Sequence, residues 1–207
     1  MFTTDLSSGG LAVRALFSTD YGTTFGPTQT LIEVGETAPD LSPLSARSGP
    51  TLGALPGGRG FSAVTAFDEA TGTSRLLTAT CSAEGPWEPA QETAARTGTV
   101  CLQPQIAADS HGHLAISVYA LDLHTHLMDV LLFCSRPEAS GGSAPRFLPP
   151  VKITSAPFDP LRAAGTGATV WLGKYQRLAA CGYDGLHGVW TDTRSGSTQI
   201  LTAVLGF

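Results

Sequence analysis

The chain has 207 residues, of which 42% are apolar and only 14% charged, a balance that fits a folded globular chain and argues against disorder. Seventeen acidic against twelve basic residues leave a formal net charge of −5, which gives no reason to expect a nucleic-acid partner. No run approaches the roughly 18 apolar residues of a membrane span, and residues 1–10 lack the basic and apolar regions of a signal peptide. The cysteines, Cys81, Cys101, Cys134 and Cys181, show no C-x-x-C spacing, so neither a zinc site nor a redox motif is indicated.

Near the start, an apolar strand-like run, Leu11–Phe17, leads into Ser18-Thr19-Asp20-Tyr21-Gly22-Thr23-Thr24-Phe25, and a second run, Thr28–Ile32, follows. The chemistry suits a hairpin. Asp20 accepts hydrogen bonds from turn amides, Gly22 takes a positive φ, and Phe25 is expected to fold back as an apolar plug.

Further along, Arg75–Ser82, Val130–Ser135 and Ile200–Leu205 look like copies of the first run, with Phe17, Cys81, Cys134 and Val204 at one equivalent position. That position asks for a mid-sized apolar side chain, so Cys81 and Cys134 read as buried hydrophobes that face too far apart to bridge. A second repeat precedes this strand: Pro50–Ala54 aligns with Pro104–Ala108 and with Gln176–Ala180. Each copy runs through a Gly-containing turn into an alternating apolar strand. One unit of roughly 50 residues is therefore four strands long, which matches a propeller blade. The third strand of the unit recurs four times and the first two strands three times, so the expectation is an all-β propeller of about four antiparallel blades. Residues 1–207 are expected to form a single such domain, either an incomplete ring that is part of a larger one or a small ring.

The turn S-x-D-x-G-x-x-F at Ser18–Phe25 resembles the Asp-box of sialidase-like BNR-repeat propellers. Ser82–Trp87 and Ser135–Phe147 read as degenerate or stretched copies of it. Trp171–Ala179 (WLGKYQRLA) and Val189–Gly196 (VWTDTRSG) are similar to stretches of bacterial members. Lys174 stands where that family has Asp and Arg177 where it has Gly. The resemblance implies a structural role for Ser18, Asp20, Gly22 and Phe25, and a secreted or cell-surface, bacterial setting.

Sialidases clamp the sugar carboxylate with three arginines and use a tyrosine nucleophile activated by a glutamate, with an aspartate as acid/base. If the first strand of each unit starts at one end, then Asp68, Asp122, His124, His126, Lys174, Tyr175, Asp192 and Arg194 gather at that end, and the Asp-boxes lie at the other. Tyr175, Arg194 and Asp192 are thus the candidate catalytic residues, and no glutamate is placed to activate Tyr175. His111-x-His113 and His124-x-His126 fall on turns at opposite ends, so no shared metal site is expected. No cofactor fingerprint is visible. The functional expectation is a catalytically incomplete sialidase-like module that binds a sialoside-like glycan or a protein. The alternative is an exo-sialidase-type hydrolase whose site is completed by further blades or by a partner protein completing the propeller.

Overall fold

A computed structural model of the chain describes residues 2–5, 11–34, 40–44, 48–83, 86–136, 145–163, 165–166, 169–170, 172–173, 176–181 and 185–206. No α-helix occurs among them. A three-stranded antiparallel sheet comes first: β1 (Phe2–Asp5), β2 (Leu11–Ala15) and β3 (Gln29–Val34). A four-stranded meander follows, formed by β4 (Thr51–Ala54), β5 (Gly60–Asp68), β6 (Thr73–Cys81) and β7 (Gln91–Thr97). The next meander contains β8 (Thr99–Ala108), β9 (Leu114–Asp122), β10 (Met128–Cys134) and β11 (Val151–Lys152). A short ribbon, β12 (Gly165–Thr166) with β13 (Thr169–Val170), precedes a last antiparallel sheet of β14 (Arg177–Cys181), β15 (Gly185–Asp192) and β16 (Gln199–Gly206). One parallel pairing, Thr73 of β6 with Thr99 of β8, links the two meanders.

The sheets pack face to face in chain order. Val13, Ala15, Leu31, Ile32 and Val34 of the first sheet meet Val64, Ala66, Ala79 and Cys81 of the next. The opposite face of that meander, through Phe61, Ala63 and Leu76, meets Ile116, Val118, Leu131 and Phe133. Beyond it, Ala107, Ala115 and Leu132 meet Leu178 and Leu186 of the last sheet. The strands β5 and β9 are covered on both faces, which explains their near-continuous apolar sequences. In β16 the burial alternates, and its uncovered face shows Ile200 and Val204 at 54% and 71% exposure. Antiparallel meanders stacked in this order are the architecture of a β-propeller.

The strand β4 must be narrow where it faces β8. A Cβ added to Gly53 would lie 2.6 Å from Cγ2 of Ile106 on β8, so only glycine lets β4 approach β8 at this point.

The register corrects one sequence expectation. Val64 pairs with Leu77 and Val118 with Leu131, so with Val64 aligned on Val118 it is Ser135, not Cys134, that is equivalent to Cys81. Cys81 faces the first sheet and Cys134 faces the last. A slip of one residue exchanges the two faces of a strand, and two apolar cysteines beside serines made the slip easy. All four cysteines are free thiols. No helix of the described residues is long and apolar enough to cross a membrane.

Candidate functional site

Three turns with one construction lie at one end of the strands. Each begins with an aspartate that closes the second strand of its unit: Asp68, Asp122 and Asp192. Each reaches a positive φ four residues later, at Gly72 (61°), His126 (57°) and Gly196 (89°). The turns of Asp68 and Asp122 adjoin through Gly98, which donates to Gly72 O at 2.9 Å and accepts from Leu123 N at 2.9 Å. The Asp192 turn is tied to the connector after β11, where Thr193 Oγ1 donates to Asp159 O and Arg194 Nη1 to Ser155 Oγ. Phe158 of the same connector pairs with Met128 beside the Asp122 turn.

The three carboxylates are spent on these turns. Asp68 Oδ1 accepts from Ala70 N at 2.9 Å while its Oδ2 accepts from Thr71 Oγ1 at 2.8 Å. Asp122 Oδ1 accepts from the amides of His124 (2.9 Å) and Thr125 (2.8 Å). Asp192 is the most enclosed. Its Oδ1 accepts from Arg194 N at 2.8 Å and Nε at 3.0 Å; its Oδ2 accepts from Arg194 Nη2 at 2.7 Å and Trp190 Nε1 at 3.3 Å.

The charge states follow from the bonding. The Thr71 hydroxyl holds Asp68 below the usual carboxylate range, and the amides of Thr125 and His124 do the same for Asp122. Burial pushes Asp192 up, but the hydrogen bonds from Arg194 outweigh it and the net shift is downward. Arg194 is held further into its charged state by the same contact. All three aspartates are therefore fixed acceptors, whereas a general acid at neutral pH needs a raised pKa.

Of the candidate catalytic set, Asp192 and Arg194 are brought together, as an ion pair with each other. Tyr175 and Lys174 lie outside the described residues. Their neighbours are anchored to β8 and β9: Gly173 O accepts from Gln103 Nε2 at 3.2 Å, and the buried Gln176 donates to Ser117 Oγ at 2.9 Å. These contacts belong to a buried polar seam that the sequence reading did not find. Its centre is Tyr119, 1% exposed, whose hydroxyl accepts from Thr191 N at 2.8 Å. The signal was present in the Ser117-x-Tyr119 alternation of an otherwise apolar strand.

The Ser18–Phe25 turn lies at the other end, between β2 and β3. Ser18 Oγ donates to Asp20 Oδ1 (2.7 Å) and accepts from Gly22 N (2.7 Å). Asp20 Oδ1 accepts from Thr24 N (2.8 Å) and its Oδ2 from Thr24 Oγ1 (2.6 Å). Led by the Thr24 hydroxyl, these bonds bring the Asp20 pKa down to about 2. Gly22 has φ 87°. The expected apolar plug is different, because Phe25 remains 50% exposed. Trp87 covers the first sheet instead, 8% exposed and 6.4 Å from the ring of Phe17.

The same end carries the β8–β9 hairpin with Asp109, His111 and His113, while His124 and His126 lie on the β9–β10 turn at the opposite end of the strand. Burial raises the Asp109 pKa, and the His113 side-chain and backbone hydrogen bonds override it, so this carboxylate too is held low.

No family model matches this chain, and no curated protein matches it. Among solved structures, it is similar to the α-L-arabinanase of Penicillium chrysogenum complexed with arabinobiose, with a TM-score of 0.54 at 11% identity. That alignment covers 95% of this chain and 54% of the arabinanase, so the chain spans about half the arabinanase's length. A GH43 endo-arabinanase from Bacillus licheniformis also aligns, at TM-score 0.33 and 16% identity, over 100% of this chain and 89% of that one. The chain is an all-β protein with a β-propeller fold of the kind found among glycoside hydrolases.

Proposed function

We propose that this chain is a sialidase-like propeller module that binds glycans without hydrolysing them. The observation that carries the reading is the Asp192–Arg194 pair. A guanidinium clamp must offer its donors to a substrate carboxylate, and a general acid must hold a proton. Here Arg194 aims Nε and Nη2 at Asp192, and Asp192 is ionised with both oxygens engaged. Asp68 and Asp122, the other aspartates closing turns at this end, are turn braces of the same construction. A tyrosine without a neighbouring base is a weak nucleophile, with a pKa near 10, and the sequence places no glutamate beside Tyr175. The exposed His124 and His126 and the polar turn edges suit hydrogen bonding to sugar hydroxyls.

The test is a fluorogenic sialoside and arabinoside assay on the purified chain. Release should stay at background, and Tyr175→Phe should change nothing. Turnover that Tyr175→Phe abolishes would overturn the reading. It would favour the second one, an exo-sialidase-type hydrolase completed by a partner sheet. That alternative is supported by the uncovered face of β16, whose Ile200 and Val204 offer an apolar surface for another sheet.

A further inference from the structure

We propose that Asp109, His111 and His113 form a binding site for one divalent transition-metal ion of the zinc class, at the tip of the β8–β9 hairpin. One ligand atom from each residue comes together with the other two within 4.8 Å. The hairpin fixes this arrangement. Asp109 N donates to His113 O at 3.1 Å, Gly112 N donates to Asp109 O at 3.2 Å, and Gly112 turns the chain at φ 86°.

The two oxygens of Asp109 have separate tasks. Oδ1 accepts the amides of His111 (2.9 Å) and His113 (2.8 Å), which locks the carboxylate plane. Oδ2 is thereby aimed at both imidazoles, 2.5 Å from His113 Nδ1 and 3.7 Å from His111 Nδ1. Backbone amides orienting a ligating carboxylate are the outer-shell support that metal sites use. The Asp109 side chain is fully covered, that of His113 is 20% exposed and that of His111 is 51% exposed. The set is thus closed on the protein side and open toward solvent.

Two imidazoles and one carboxylate suit Zn²⁺, Co²⁺, Ni²⁺ or Cu²⁺, whereas Ca²⁺ and Mg²⁺ ask for oxygen ligands. Metal–ligand bonds of about 2.0–2.2 Å place tetrahedral donors roughly 3.5 Å apart. The half-exposed His111 ring closes that gap by rotating, and the His113–Asp109 hydrogen bond yields to the ion. Three protein ligands leave a coordination position for water.

The experiment titrates Co²⁺ into the chelator-treated full chain and follows visible d–d absorption. One equivalent should give tetrahedral-type bands that added Zn²⁺ displaces. His111→Ala should weaken binding at least tenfold, and the change at a half-exposed side chain should leave the metal-free far-UV spectrum and melting temperature as in wild type. His124→Ala/His126→Ala should bind Co²⁺ as wild type does. Absence of saturable bands in the wild-type chain would overturn the site. So would binding that survives His111→Ala/His113→Ala, or that is lost in the His124/His126 variant.

Discussion

Removing one oxygen atom from the seam between the last two sheets should measurably weaken the fold. Tyr119 is 1% exposed, and its hydroxyl accepts from Thr191 N at 2.8 Å. The pairing of β14 with β15 begins at Arg177 and Val189, so Thr191 lies beyond the end of that ladder, and the Tyr119 hydroxyl supplies the acceptor that a strand would have provided. Tyr119→Phe keeps the ring and its edge-on contact with Phe158, at 6.4 Å between centroids, and takes away only the hydroxyl, which accepts from Thr191 N and donates to Thr191 O at 3.4 Å. Leaving a buried amide unsatisfied costs about 1–3 kcal/mol. For a chain of this size that is a fall of about 2–12 °C in melting temperature. Tyr21→Phe is the control, because Tyr21 is fully exposed.

A second readout comes from alkaline pH. Burial pushes the Tyr119 pKa from 10.0 up to about 12, so the folded chain keeps this proton where the unfolded chain loses it. The stability that Tyr119 contributes is complete below pH 10 and is lost as pH rises from there through about 12, by an amount on the order of 2–3 kcal/mol. Denaturant unfolding of both proteins at stepped pH should show this alkaline loss in wild type and a smaller one in Tyr119→Phe. A variant that melts with wild type at pH 7 and follows it at high pH would refute the argument.

Gly53→Val should destabilise by about 1–3 kcal/mol in urea unfolding, because its side chain must displace Ile106. Arg194→Ala should cost about 1–3 kcal/mol at neutral pH by leaving the buried Asp192 carboxylate without its cation. Since Asp192 is held low in the folded state, its contribution is present above its unfolded pKa of 3.8 and is lost as pH falls below that. The acid-unfolding midpoint of Arg194→Ala should therefore move to higher pH. A thiol reagent on the native protein should label the exposed Cys181 first. It should reach Cys101, whose buried thiol is pushed up to about 11, only on unfolding, and a Cys81–Cys134 disulfide in a peptide map would contradict the packing.

The fold was legible because it is built by repetition. The segments at Leu11, Arg75, Val130 and Ile200 are all strands, and small-residue strands begin at Thr51, Thr99 and Arg177. Face assignment was less legible: Cys81 and Cys134 are each followed by serine, and only pairing to Val64 and Val118 fixes which way they point. At the candidate site, the Asp-turn positions could be read from sequence. The bonding of Asp192 to Arg194 two residues on could not, because a T-D-T-R stretch is compatible with a side chain aimed at substrate or folded onto its own turn. The Asp109 cluster was hidden for a related reason, since hairpin geometry rather than spacing brings an aspartate between two imidazoles.

Binding without turnover is tested most directly by ligand-observed saturation-transfer NMR. Sialyllactose and arabinobiose are incubated with the full chain, and the same sample is followed for hours. The account predicts saturation transfer to at least one glycan, with its spectrum unchanged throughout. Free sialic acid or arabinose growing in with time, or no transfer to either glycan, would contradict it.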